Sequence, residues 1–94
     1  MPRILQVDVV TPEANAFSGE VKSIVVTAPD GEMGVLPMHA PLIAELGEGV
    51  MRLTRAEDDI VEVFTTKGGY LQVAEDHAIV LTDSVERAET AEKR

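Results

Sequence analysis

Apolar residues recur along this chain at every second position, and only rarely at the three-to-four spacing of a helix face. Leu5, Val7 and Val9 alternate with Gln6 and Asp8. That predicts a strand over roughly 3–11, ended by Thr11-Pro12 because proline has no amide proton to give to a ladder. Ser18-Gly19 reads as a turn, and EVKSIVVTA at 20–28 as a second strand whose β-branched residues suit a pleated surface. Pro29-Asp30-Gly31 is a turn with a mechanism: proline presets φ, aspartate bonds its own backbone, and glycine accepts positive φ. Further strands are predicted at 42–46, at 50–54 after a Gly47-Glu48-Gly49 turn, and at 60–66 after the polar connection 55–59. Two more, 70–74 and 78–82, flank Glu75-Asp76-His77 as a hairpin, and Lys67-Gly68-Gly69 suits a bulge or tight bend. Closely spaced turn signals, with no helix pattern before residue 83, predict an all-β antiparallel sandwich or barrel.

The pattern changes at Asp83. SVERAETAEKR contains helix formers, with Asp83 or Ser84 as N-cap and Glu86 placed for a capping box. Glu89 and Lys93 form an i,i+4 pair, while Val85, Ala88 and Ala91 make a thin apolar stripe. The expectation is a short C-terminal helical stub that frays unless a partner holds it, since isolated helices below ~12–15 residues are marginal. The organisation predicted is a β-sandwich domain at 1–83 and a tail at 84–94.

Residues 31–42, GEMGVLPMHAPL, are unlike the rest. Their glycines and prolines prevent a long regular element, yet Met33, Val35, Leu36, Met38 and Leu42 are apolar, so the loop is expected to bury part of itself. His39 sits between Pro37 and Pro41, which restrict the backbone around it. It either caps loop carbonyls or, with Glu32, is presented as a contact on a rigid loop, where binding residues tend to lie.

Composition narrows the function. Ninety-four residues make one small domain. No apolar run approaches the ~18 residues of a membrane span, and no basic leader precedes an apolar stretch, so no secretory signal is expected. Cysteine is absent, which excludes disulfides, thiolate metal sites and a cysteine nucleophile. A net charge of -9 lacks the basic footprint of a nucleic-acid binder and disfavours anionic lipid. The chain has two histidines, and no nucleophile elbow or zinc-type spacing. His77 falls in a polar turn and Asp58-Asp59 in a solvated hairpin. Lys67 precedes its glycines, the reverse of a phosphate loop. No cofactor, metal or nucleotide site is expected.

Residues 7–42, with GEMGVLPMHAPL at their end, resemble the epsilon subunit of F-type proton-translocating ATP synthase, called delta in mitochondria. GGYLQV at 68–73 and AIVLTDSVERAE at 78–89 are similar to later blocks of that family in the same order. The resemblance implies a sandwich of about ten strands. It implies a non-catalytic central-stalk subunit that binds gamma and the c-ring and couples rotor torque to ATP synthesis. The location implied is peripheral, on the cytoplasmic face of the bacterial inner membrane or the stromal face of the thylakoid, without lipid insertion. The family's c-ring contacts match Glu32 and His39, with Gly31, Gly34, Pro37 and Pro41 shaping the loop; Ala40, Leu42 and Ile43 are candidates either for the gamma-facing surface or for the core. Many members add two C-terminal helices that inhibit hydrolysis and in some bind ATP. This chain ends at Arg94, where the first would start, so neither the inhibitory hairpin nor its ATP site is expected. The alternative is a free-standing β-sandwich that binds a small ligand or carbohydrate. Against it, Phe17, Phe64 and Tyr70 are the only aromatics to stack on a sugar.

Overall fold

The computed structural model describes residues 4–91. Seven strands run through them: β1 Leu5–Val10, β2 Asn15–Ala28, β3 Gly31–Val35, β4 Leu42–Arg55, β5 Val61–Ala74, β6 His77–Leu81 and β7 Val85–Ala91. Neighbours pair in the order β1-β6-β5-β4-β2-β3, with β7 on β5 and β1 also on β2. The path from β1 through β6, β5, β4 and β2 therefore closes on itself. All ladders are antiparallel except β1–β6.

Three strands of 14 residues make this closure possible, because each serves both layers of the sandwich. Their side-chain alternation changes phase part-way. In β5 the buried positions are Glu62, Phe64 and Thr66, then Leu71 and Val73. In β4 they are Leu46, then Met51 and Leu53, and in β2 Val21, then Ile24 and Val26. A strand that keeps strict period 2 presents one face throughout. An odd step lets the chain turn a corner and offer its other face to the same core. One layer then holds β1, β6, the first part of β2, the start of β4 and the end of β5. The other holds β3, β7 and the remaining halves, so the seven strands supply ten segments. This is the sandwich expected, with strand pairs joined end to end.

The corners of β4 and β5 lie where sequence patterning predicts turns, whereas that of β2 falls between Val21 and Ile24, inside the strand predicted at 20–28. Ser18-Gly19 does not turn; both residues lie in the β1–β2 ladder, opposite Asp8 and Val7. The true turn is at 11–14, where the Thr11 hydroxyl accepts from the Glu13 and Ala14 amides. Gly47-Glu48-Gly49 is a corner inside β4, with Leu46 opposite Gly69 and Glu48 opposite Lys67. Glycine is required at this crossing. A Cβ on Gly69 would overlap the Leu81 carbonyl and approach Thr82 Cα to 2.8 Å, and its φ of 122° is one that other residues rarely adopt. The Lys67-Gly68-Gly69 bend is present as expected.

The helical stub is not. Val85–Ala91 is a strand on the edge of β5, pairing Thr66 with Val85 through Val61 with Ala91. Helix propensity summed over ten residues is a weak preference, and an open sheet edge offering a ladder overrides it. Val85 packs against the core, and Arg87 reaches back to Glu62 on β5 and lies 5.3 Å from the Phe64 ring centroid. Glu62 is buried, and its other oxygen meets Arg55 at 3.0 Å. Lys93, part of the expected helical pair, lies outside the described residues.

Two outcomes are expected. Gly69→Ala should cost about 3 kcal/mol or more, through strained φ and backbone overlap, read as a lower urea midpoint. Glu62→Gln, which leaves two arginines over a buried neutral amide, should cost about 3 kcal/mol in the same assay, whereas Glu57→Gln on the exposed turn should stay within about 0.5 kcal/mol.

Candidate functional site

The segment between β3 and β4 is an ordered turn. His39 N–H donates to the Leu36 carbonyl at 3.2 Å, closing Leu36-Pro37-Met38-His39 with Met38 at φ 70°. This is a type II turn with proline at its usual second position and methionine where glycine or asparagine is preferred. A non-glycine residue there costs about 1 kcal/mol. The Met38 amide donates to Asp76 Oδ1 at 2.6 Å, tying the turn to the β5–β6 hairpin. Glu75 and Asp76 form that two-residue hairpin turn, both at positive φ, and the Asp76 carbonyl accepts from the Gln6 amide at 2.9 Å. Leu36 and Met38 stay 64% exposed, so the turn buries less of itself than expected.

Glu32 and His39 are not brought together. Glu32 lies at the start of β3, where its carboxylate meets Arg52 at 3.4 Å, and His39 lies four residues past the other end. His39 Nδ1 donates to the Ala40 carbonyl at 2.6 Å while the residue stays exposed, so it caps the loop and is presented at once. Gly31, at φ 137°, ends the Pro29-Asp30 turn as expected. A Cβ on Gly34 would meet nothing nearer than the Ile24 carbonyl at 3.9 Å, so the loop makes no steric demand there. Pro37 is half-buried at the second position of the turn and Pro41 is exposed. Leu42 packs against the core, whereas Ala40 is exposed and Ile43 is 73% exposed.

Ile43 belongs to a larger apolar face. Across the outer side of the layer it shares with β5, β6 and β1, Ile43 stands opposite Gln72, and Gln72 opposite Ile79. One row over, Tyr70 pairs with Leu81 and Leu81 with Val10. Tyr70 and Leu81 are 55% and 46% exposed. Ile79, Tyr70, Leu81 and Val10 are functional candidates that strand patterning alone passes over. The available signal was apolar residues at the outward phase of 70–74 and 78–82, where a solvated sheet face carries polar ones.

Beside this face, Asp8 holds two partners across three strands. It accepts from the Ser18 hydroxyl and lies 2.7 Å from His77 Nε2. Serine and histidine both address the carboxylate and not each other, so no base touches the hydroxyl and no nucleophile is formed. An open cleft of about 700 Å³ at the other side is lined by Ile4, Phe17, Glu20 and Arg55. Its guanidinium is occupied by Asp58 and Glu62, which hold it more firmly protonated than usual, the Glu62 bond first. Among the described residues, no three acidic or histidine side chains are placed to hold a metal ion, and no helix is long and apolar enough to cross a membrane.

Residues 4–88 match the family model of the ATP synthase delta/epsilon chain, beta-sandwich domain. The chain belongs to this family. Among curated relatives, it is 41% identical over 83 residues to the ATP synthase epsilon chain of Polynucleobacter necessarius, covering 88% of this chain and 59% of that one. The epsilon chain of Dichelobacter nodosus is 43% identical over 83 residues, again 88% of this chain and 57% of the relative. The chain thus spans somewhat under two thirds of these relatives. Its fold is similar to a chain in the cryo-EM structure of Euglena gracilis mitochondrial ATP synthase (OSCP, F1 and c-ring), with TM-score 0.83, 19% identity, and coverage of 93% of this chain and 55% of that one. A chain in the Tetrahymena thermophila mitochondrial central stalk and c-ring gives TM-score 0.70 at 13% identity, covering 88% and 66%.

In this epsilon-type sandwich, the Ser18 hydroxyl, and then His77, hold the Asp8 carboxyl below its ordinary 3.8. A depressed carboxyl pKa contributes stability that is present above about 3.8 and lost as pH falls through the folded value. Ser18→Ala should therefore be less stable than the parent at pH 6, and the gap should narrow at pH 2. Urea midpoints at the two pH values check this.

Proposed function

We propose that this domain is a non-catalytic rotor component of a proton-translocating F-type ATP synthase. It binds gamma and the c-ring in the central stalk and couples rotation to ATP synthesis, as a peripheral protein on the cytoplasmic face of the bacterial inner membrane. The observation that carries the reading is the apolar outer face of Ile43, Tyr70, Ile79 and Leu81 on a family sandwich: monomeric sheets solvate such a face, and aromatic-centred apolar patches mark protein interfaces. Gamma is the occupant assigned to that face. Glu32 at the start of the edge strand β3 and His39 past its other end are assigned to the polar loops of the c-ring, with the net charge of -9 favouring basic groups there.

Two measurements test this. Tyr70→Asp and Ile43→Asp should each weaken retention of the cognate gamma subunit at least tenfold while circular dichroism is unchanged. Equal retention by both variants removes the assignment of that face. The Glu32→Ala/His39→Ala double variant should lower proton pumping driven by ATP in reconstituted membranes. Pumping equal to the parent's removes the c-ring contacts.

A further inference from the structure

We propose that Asp76 is a positioning residue. Its carboxylate, fixed on the Met38 amide, holds the Leu36–His39 turn in a strained shape that presents Met38 and Leu36 to gamma as an apolar knob. The proposal rests on the gamma assignment above and adds to it the residue that sets the geometry of the contact.

The sequence puts a methionine where the turn geometry favours glycine. Met38 sits at φ 70°, a conformation that isolated chains with a side chain mostly leave. Strain of this kind persists only where the surroundings over-determine it, and it gathers at contact sites. Here the surroundings amount to two hydrogen bonds: His39 N–H to Leu36 O at 3.2 Å, and Met38 N–H to Asp76 Oδ1 at 2.6 Å. The second is charge-assisted and is the stronger of the two. Asp76 is itself rigidly placed, since its carbonyl accepts from Gln6 in β1 and its neighbours Ala74 and His77 close the hairpin ladder. The strained backbone does not tuck its side chain away, for Met38 and Leu36 remain 64% exposed. A glycine would give the same turn without strain and without a knob. The methionine gives apolar reach, and Asp76 ties its turn to the hairpin end of the face assigned to gamma, where Pro41, Ile43, Gln72 and Ala74 line one shallow hollow. Thioether side chains fit irregular pockets well.

The experiment uses the full chain, ¹⁵N-labelled, and the cognate gamma subunit. Asp76→Gly removes the carboxylate and keeps the positive φ of the hairpin unstrained. It should speed Met38 amide exchange about tenfold and raise the gamma Kd about five- to tenfold, with Tm nearly unchanged. Asp76→Asn, which retains an acceptor oxygen, should keep the Kd within about threefold of the parent. Met38→Gly frees the turn from its need for a carboxylate, so adding Asp76→Gly to it should change the Kd less than twofold. Unchanged exchange and Kd in Asp76→Gly overturn the proposal. So does an equal Asp76→Gly penalty in both backgrounds, because the carboxylate would then act elsewhere. Failure of the parent chain to bind gamma overturns the docking role, and with it the gamma assignment. Accelerated exchange alongside such a failure would show the Asp76 latch to be real but structural.

Discussion

A single hydrogen-bonded sheet can enclose its own core only if its long strands change which alternate residues face inward. The phase steps in β2, β4 and β5 meet that requirement, and the rest of the molecule follows from them. They bring Leu46, Met51, Phe64 and Leu71 to one interior although strict alternation would send some of them to solvent. They also need backbone to pass close to backbone at the β4–β5 corner, where Gly69 lies against the Leu81 carbonyl and only a hydrogen fits. Burial of aliphatic side chains at ~1.5–3 kcal/mol each supplies the driving force, and the corners decide whether it is collected from one face or two.

Much of this was legible in the sequence, and the failures are instructive. Alternation located β1, β6, the second half of β2 and both halves of β4 and β5, because inward and outward positions differ in polarity within each; it passed over the first half of β2 and β3. It mistook a corner for a turn at Gly47–Gly49, because a phase step and a chain reversal have the same local signature, glycine and a break in the pattern; it placed a turn at Ser18-Gly19, which is regular ladder, and missed the step of β2 between Val21 and Ile24. The tail failed for another reason. Its helical propensity is real but small, and the competing partner is the edge of β5, which pairs Val85 with Thr66 and Ala91 with Val61 and sets Arg87 against Glu62, far outside any local stretch of sequence. Long-range pairing of that kind is invisible to a local window.

For the candidate site, residues 31–42 read as one loop, whereas the first five of them are the strand β3 and the turn follows it. The prolines marked an ordered segment, and the structure contains an ordered turn. That Glu32 stands at the start of β3 and His39 past its other end, that Leu42 turns inward, and that Asp76 braces Met38 all depend on which strands become neighbours. The family resemblance supplied candidate partners; the burial of individual side chains divides those candidates between the loop, the core and the apolar face.

The three shared strands also have a mechanical consequence. In a sandwich of two separate sheets, the layers meet only through side chains and can slip past one another under load. Here covalent backbone crosses from one layer to the other three times, so lateral force on one face reaches the other through peptide bonds. Such a body resists shear and deforms little, the property that the place proposed for it between a turning axle and its driving ring would demand.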